Sequence, residues 1–408
     1  MAFDSGAIAW VAICTALVML MTPALGFFYG GLVKRKNLVT TILQCFAVYA
    51  LVALIWTLWG YSLAFGPTTN GIIGNLSLVG MWNVGINTLT PYASGIPMLL
   101  HFAFQMQFAA ITPALIIGAF AERIRFRSLL IYAALWSTLI YCPIACWLWN
   151  TGGWLHQLGA IDFAGGMVVH ANAGLSALAA ALVVGRRKGI GRGQAAARPN
   201  NVPYVILGTA LLWFGWFGFN AGSALAANSV AVSAFVDTNL AAAAAGLSWM
   251  FVEWLASRRA TGIGFSVGAV CGLAAITPAA GYVNLTSAII IGLVAGILSN
   301  LIARWRARTR IDDTLDVFAA HGGGGIWGSL ATGIFASAAI NGASGLLFGN
   351  AGQLVAQVIA VVAVSAYSFV GSFVLLKVIG VFSPLRVSEK EEVKGLDLSQ
   401  LGEEAYSD

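Results

Sequence analysis

Apolar residues in this chain neither alternate nor confine themselves to one helix face. They run on for about 17–25 residues at a time, the length a helix needs to cross a bilayer, and polar residues cluster between the runs. Such runs cover 7–30, 38–66, 96–121, 128–149, 163–185, 202–224, 238–256, 263–282, 286–303, 315–336 and 353–380. The pattern predicts an all-α polytopic membrane protein of eleven transmembrane helices.

Two stretches break the apolar pattern in the same way. DFAGGMVVH carries Asp162 at the start of the fifth run and His170 within it, and Asp313 with His321, followed by GGGGIWGSL, repeats the spacing D-x7-H in the tenth. Ile111-Thr-Pro-Ala in the third run likewise returns as Ile276-Thr-Pro-Ala in the eighth. Helices 1–5 (about 1–185) and 6–10 (about 202–336) therefore read as two copies of one unit. Five is odd, so the second copy is inverted in the membrane, which places a substrate site near the midplane where the copies meet. The eleventh run, 353–380, has no counterpart and is expected to strap the outside of the bundle.

Composition agrees: 9% of residues are charged and 59% hydrophobic, against roughly 25% and 45–50% in soluble domains. Charge adds orientation, because Lys and Arg near span ends stay on the cytoplasmic side. With the N-terminus outside and the C-terminus inside, the inner segments 31–37, 122–127, 186–201, 257–262, 304–314 and the tail, with Lys377, hold all 21 basic residues. The 67–95 and 150–161 segments hold none. The net charge of +6 thus reports topology and attraction to anionic lipid, not nucleic-acid binding. Cys14, Cys45, Cys142, Cys146 and Cys271 all fall within runs and read as buried free thiols. The N-terminus lacks a charged n-region and a small-residue cleavage site, so the first run reads as a retained span.

Ionisable groups inside a span are costly and are functional candidates by default. The alternative for each histidine alone is a structural hydrogen bond to a neighbouring helix. Matching positions in two inverted copies would instead bring them together on one axis, as a neutral pair sharing an N–H···N bond. Asp162 suits a helix cap, and its charge would also lower the cost of a cation above it; Asp313 reads as a cap alone. A metal centre lacks further ligands or an HExxH motif, so no metal or cofactor is expected, and the chain does not read as an enzyme. Gly322–Gly325 lacks the Lys-Ser/Thr of a phosphate loop and reads as a close-packing surface. In LLWFGWFGFNAGSALAAN, Gly215, Gly218 and Gly222 read as a helix-packing face, with Asn220 and Ser223 near its outer end. The polar tail, residues 384–408 after a membrane domain of 1–383, reads as solvated and disordered by default, although Leu396, Leu398 and Leu401 suggest docking.

FQMQFAAITPALIIGAFAERIRF, DFAGGMVVH, LLWFGWFGFNAGSALAAN, HGGGGIWGSL and the terminal GLDLSQLGEEAYSD together resemble the ammonium transporter family, its Amt/MEP branch, across essentially the whole chain. The resemblance implies an eleven-span homotrimer in the cell membrane with one pore per subunit. It also implies that Trp149, Phe108, Phe219 and Ser223 form an outer ammonium-recruitment site and gate, with Asp162 beside it and His170 with His321 as a twin-histidine pore. Their ordinary alternatives are an interfacial belt position for Trp149, helix packing for Phe108 and Phe219, and an interhelical hydrogen bond for Ser223. The tail resembles that of members gated by PII-type (GlnK-like) signalling proteins, which implies such a partner at the cytoplasmic face.

The implied chemistry is energetically sound. An aromatic face offers an ammonium ion about 0.5–2 kcal/mol, whereas moving the intact ion through a dry pore costs tens of kcal/mol by a Born estimate. Deprotonation near neutrality costs only about 4–5 kcal/mol, taking the lysine amine as proxy. Splitting the ion into ammonia and a proton is the cheaper route, and it excludes potassium, which has no proton to lose. A passive ammonia channel and an ammonium sensor remain alternative functions.

Overall fold

A computed structural model describes residues 3–188 and 199–406 of the chain; the middle of the expected inner segment 186–201 lies outside the described residues. Eleven helical segments follow one another: α1 (Ser5–Leu32), α2 (Arg35–Phe65), α3 (Met98–Phe120), α4 (126–149), α5 (Gly166–Val184), α6 (Val202–Ala224), α7 (Ser229–Ser257), α8 (Gly262–Ile276), α9 (Leu285–Ala307), α10 (318–335) and α11 (Ala351–Phe382). Each coincides with one of the apolar runs. Among the described residues nine of these are long and apolar enough to cross a membrane, and α8 is a shorter apolar helix.

Two boundaries depart from the apolar pattern for local reasons. Helix α7 begins at Ser229, well before 238, because the Asn228 side chain caps it by accepting from the Ala231 N–H. Helix α8 stops at Ile276 although apolar residues continue: a run of turns follows from Thr277, where Pro278 packs against Gly166. The matching Pro113 lies inside α3, which continues to Phe120.

Neighbour relations repeat between the two halves. Helix α1 packs on α2 and α3 as α6 packs on α7 and α8; α2 lies against α3 as α7 against α8, and α3 meets α5 as α8 meets α10. The principal contact across the halves is α1 with α6. There the glycine face of α6 is required: a Cβ on Gly215 would lie 2.3 Å from Met21 Cγ, and one on Gly222 2.6 Å from Cys14 Cβ. Helix α11 lies along α4, α5 and α10. All five cysteines are free and buried.

The two ends of the bundle differ in chemistry. At one end the 67–97 connection folds into two small antiparallel hairpins, Thr68–Thr69 with Ile73–Gly74 and Leu89–Thr90 with Ala93–Pro97. It packs on the start of the chain (Asp4 N–H to Gly95 O, 3.0 Å) and on the 150–161 segment (Trp154 N–H to Gly71 O, 3.1 Å). At the other end the basic connections converge. Arg187 bridges Glu122 at 2.7 Å and Asp312 at 2.9 Å, and buried Arg123 donates to Gly185 O, Ala121 O, Ala119 O, Asp312 O and Thr314 Oγ1.

The tail joins this second end, which corrects the expectation of a disordered segment. Ser388 and Glu391 form a capping box at the start of α12 (Glu389–Lys394), and Glu392 accepts from Lys188 N–H and from Arg386. Asp397 accepts from the N–H groups of Val39 and Thr40 at 3.1 and 2.7 Å. Leu396 is buried, whereas Leu398 is exposed. Composition pointed to solvation because it registers charge; here the charged groups serve as partners for helix termini and connecting loops.

Candidate functional site

Both histidines sit in π-helical turns that open their helices, Gly166–Ala171 in α5 and Phe318–Gly323 in α10. Such turns are rare and recur at functional sites. The two helices meet backbone to backbone: a Cβ on Gly174 would lie 2.1 Å from Gly322 N, and one on Gly325 2.5 Å from Gly166 O. No side chain larger than hydrogen fits at either place. This approach sets His170 Nδ1 3.2 Å from His321 Nδ1, with ring centroids 5.2 Å apart and planes 18° from parallel. Both rings are buried. One Nδ1 must carry a proton and the other a lone pair, so the pair cannot be doubly charged. Nε2 of His170 is buried and has no hydrogen-bond partner among the described residues.

A void of about 10 Å3 borders both imidazoles and is otherwise lined by apolar side chains of α1, α3, α5, α6 and α8. That is close to the minimum for one water-sized guest. Trp216 stacks on His170 at 5.3 Å, and its indole N–H is held by Thr277 Oγ1 at 2.9 Å. Above the void Phe219 lies 5.9 Å from His170 and 4.4 Å from Phe108. These two fully buried phenyl rings lie between the void and a mouth at the end of the bundle that carries the 67–97 connection.

The mouth holds Trp149, Ser223 and Asp162, which line a cavity of about 310 Å3. Trp149 stands edge-on to Phe108 at 5.7 Å and donates its indole N–H to Asp162 O at 2.8 Å. The nearby Trp147 instead donates to Ile72 O and packs on Tyr367. Ser223 Oγ donates to Phe219 O, four residues back, at 2.9 Å; its lone pairs stay free for a donor in the cavity.

Asp162 is more thoroughly engaged than the sequence disclosed. Its Oδ1 accepts from the N–H groups of Gly165 and Gly166, and its Oδ2 from those of Met167 and Val168, at 2.6–3.0 Å. Four donors fill the roughly four lone-pair positions of a carboxylate. The group therefore reaches a guest through its charge rather than through a direct bond. Asp313 takes the equivalent place below α10, with Oδ2 accepting from Phe318 N–H at 2.7 Å and Oδ1 unpartnered.

Three mouth residues escaped the sequence reading. His101, Gln105 and Tyr92 line a second lobe of the mouth, about 220 Å3, that also touches Trp149, Phe108 and Ser223. A signal existed, since His101, Gln105 and Phe108 stand at i, i+4 and i+7 and share one face of α3.

The Ammonium Transporter Family model matches residues 9–406 of this sequence. The chain belongs to the ammonium transporter family. It is 48% identical to the ammonium transporter Amt1 of Archaeoglobus fulgidus, over 99% of this chain and 100% of that protein. Against the ammonium transporter of Bacillus subtilis it is 47% identical, over 97% of each. Among solved structures it resembles Saccharomyces cerevisiae Mep2, with a TM-score of 0.89, 37% identity and coverage of 95% of this chain and 91% of that one. A structure described as a sensor Amt protein gives 0.90, 31%, 97% and 98%. As a member of the ammonium transporter family, the chain is a nearly all-helical multi-pass membrane protein.

Proposed function

We propose that this chain is an ammonium transporter. Ammonium collects at Trp149, Phe108, Phe219 and Ser223, gives up its proton, and ammonia crosses the void beside His170 and His321 with the proton moving separately. The observation that carries this reading is the histidine pair itself. Two buried imidazoles 3.2 Å apart, with one nitrogen left unpartnered in a void wide enough for one small molecule, suit a neutral hydrogen-bonding guest. An intact ion there would have apolar walls in place of water, at a cost of tens of kcal/mol. Asp162 assists by its charge: it offsets the positive end of α5, which would otherwise repel a cation at the mouth.

Eleven crossings with the N-terminus outside and the C-terminus inside are supported by the segregation of basic loops and tail to one end. Two inverted five-helix copies are supported by the repeated neighbour relations and the paired π-helical turns. The family resemblance supports a homotrimer in the cell membrane and a PII-type partner on the docked tail.

Purified protein in liposomes tests the transport reading. An outward-facing ammonium pulse should change internal pH faster than in protein-free liposomes, and equal rates would contradict transport. Likeness to the sensor Amt structure favours a second reading, in which occupancy of the same pore is signalled rather than conducted; saturable binding without flux would select it.

A further inference from the structure

Helix α11 has no counterpart in the repeat, yet it lies along both helices that carry the histidines. One side chain makes that contact polar. Gln357 is fully buried; its Oε1 accepts from Ile161 N–H at 2.8 Å, and its Nε2 donates to Ile161 O and to Ser329 O, each at 2.9 Å. A carboxamide has two donors and one acceptor oxygen, so every polar atom of Gln357 is engaged. Turning the side chain would leave buried groups unpaired.

The two partners belong to different halves of the chain. Ile161 is the residue before Asp162, at the entry to α5, and Ser329 lies about two helical turns beyond His321 on α10. Helix α11 reaches this close because Gly333 has no side chain: a Cβ there would lie 2.9 Å from Gln357 Cγ. Asp162 is thereby held on both sides of its own backbone, since Gln357 fixes the peptide before it and Trp149 binds its carbonyl. Further along α11, Ser368 Oγ donates to Asn172 Oδ1 at 2.8 Å, and Asn172 Nδ2 donates to Val168 O at 3.1 Å. The π-helical turn that carries His170 is therefore tied to α11 on both sides, while Ser329 ties α10 to the same helix.

The glycine contact between α5 and α10 is repulsive: it sets how near the helices come and does nothing to keep them from drifting apart. Gln357 supplies the opposite restraint. We propose that Gln357 is a positioning residue for conduction, which holds α5 against α10 from outside the repeat and so keeps His170 and His321 at the spacing that admits one small guest. The inference rests on the transport reading above. Gln357 lines neither the mouth nor the void, so it acts through the histidine pair and sets the rate of crossing rather than the capture of the ion.

The test is the ammonium-concentration dependence of the current on solid-supported membranes, normalised to folded protein, for wild type, Gln357→Leu, Gln357→Glu and Gln353→Leu. Gln357→Leu removes all three bonds at similar volume, whereas Gln357→Glu keeps the acceptor for Ile161 N–H. Gln353 lies one turn earlier on α11 and its side chain donates to Gly159 O at 2.9 Å; its loss separates a general loosening of α11 from loss of the bridge to α10. The expected result is a maximal current at least about tenfold lower in Gln357→Leu, as slight misplacement of the groups that handle the guest predicts, with the half-saturating concentration unchanged. Gln357→Glu should give an intermediate current, and Gln353→Leu the wild-type one. A wild-type maximal current in Gln357→Leu would overturn the positioning role. So would an equal fall in Gln353→Leu, or a rise in half-saturation at unchanged maximal current, which places the effect at the mouth. Should Gln357→Leu fail to fold, Gln357→Glu decides alone: a lower maximal current at unchanged half-saturation supports the role, and a wild-type current overturns it. Absence of any wild-type ammonium current would instead overturn the transport reading and take the positioning role with it.

Discussion

The two D-x7-H units share a spacing and a π-helical turn, yet they are built for different surroundings. In the Asp162–His170 unit, four backbone N–H groups bind Asp162 and two aromatic rings stack on His170. In the Asp313–His321 unit, Asp313 accepts from the Phe318 N–H and leaves an oxygen bare, and it stands next to Asp312, which is tied into the Arg123 and Arg187 network. The Asp162–His170 copy thus borders the mouth and the void, while the Asp313–His321 copy is anchored to the basic loops at the other end of the bundle. A repeated motif fixes where a helix starts and what it carries; its non-repeated neighbours decide what it does.

The comparison breaks most visibly at the two aspartates. Asp162→Ala strands four buried N–H groups at about 1–3 kcal/mol each, and the expected outcome is loss of monodisperse protein and of flux. Asp313→Ala strands fewer and should cost about 1–3 kcal/mol, read as a modest fall in melting temperature in detergent. Equal losses would mean that the two caps carry the same load.

A smaller effect is expected where the units touch. In Gly174→Ala the added Cβ, 2.1 Å from Gly322 N, must push α5 from α10 and lengthen the histidine contact. Overpacking of this kind costs about 1–3 kcal/mol, and flux should fall at least tenfold while the protein remains folded. Unchanged flux would show that the close approach does not set the pore.

The smallest expected effect is in pH dependence. Burial, with the neighbouring Asp316 charge, pushes the Asp313 carboxyl up to about 6. A carboxyl raised on folding disfavours the folded state once it ionises, so its stability contribution is full below its unfolded value near 3.9 and is lost as pH rises through 6. Asp312 behaves oppositely: burial raises it, but the Arg187 hydrogen bonds and the Arg123 and Arg187 charges outweigh burial and hold it near 2. Its contribution is full above about 3.9 and is lost as pH falls toward 2. Asp313→Asn should therefore flatten the melting-temperature profile between pH 4 and 6, and Asp312→Asn should flatten it only below 4. A wild-type-like slope between 4 and 6 in Asp313→Asn would contradict the assignment.

The spans were legible because a bilayer sets a minimum apolar length for a crossing helix and excludes most charge from it. The histidine pair was legible because a costly residue recurred at matching places. The side chains that serve it were less so. The four-fold engagement of Asp162 depends on the turn Gly165 makes at a φ of +111°, and sequence spacing alone does not tell that turn from an ordinary cap. Pro113 and Pro278 sit in identical ITPA segments, yet one is absorbed in a helix and the other ends one; the neighbours decide, since Pro278 packs on Gly166. His101 and Gln105 share a helix face with Phe108, but only the packed structure shows that this face lines the mouth. The docking of the tail was hinted at by Leu396, which is buried, but composition could not show which helix end Asp397 would cap.

The most direct test of the central claim is the current on solid-supported membranes after an ammonium pulse, in wild type and in His170→Ala/His321→Ala, with potassium as the control. The prediction is an ammonium current in wild type with none for potassium, and in the double variant either no current or one that potassium also carries. A double variant that still carries a normal, potassium-excluding ammonium current would contradict passage of ammonia along the histidine pair.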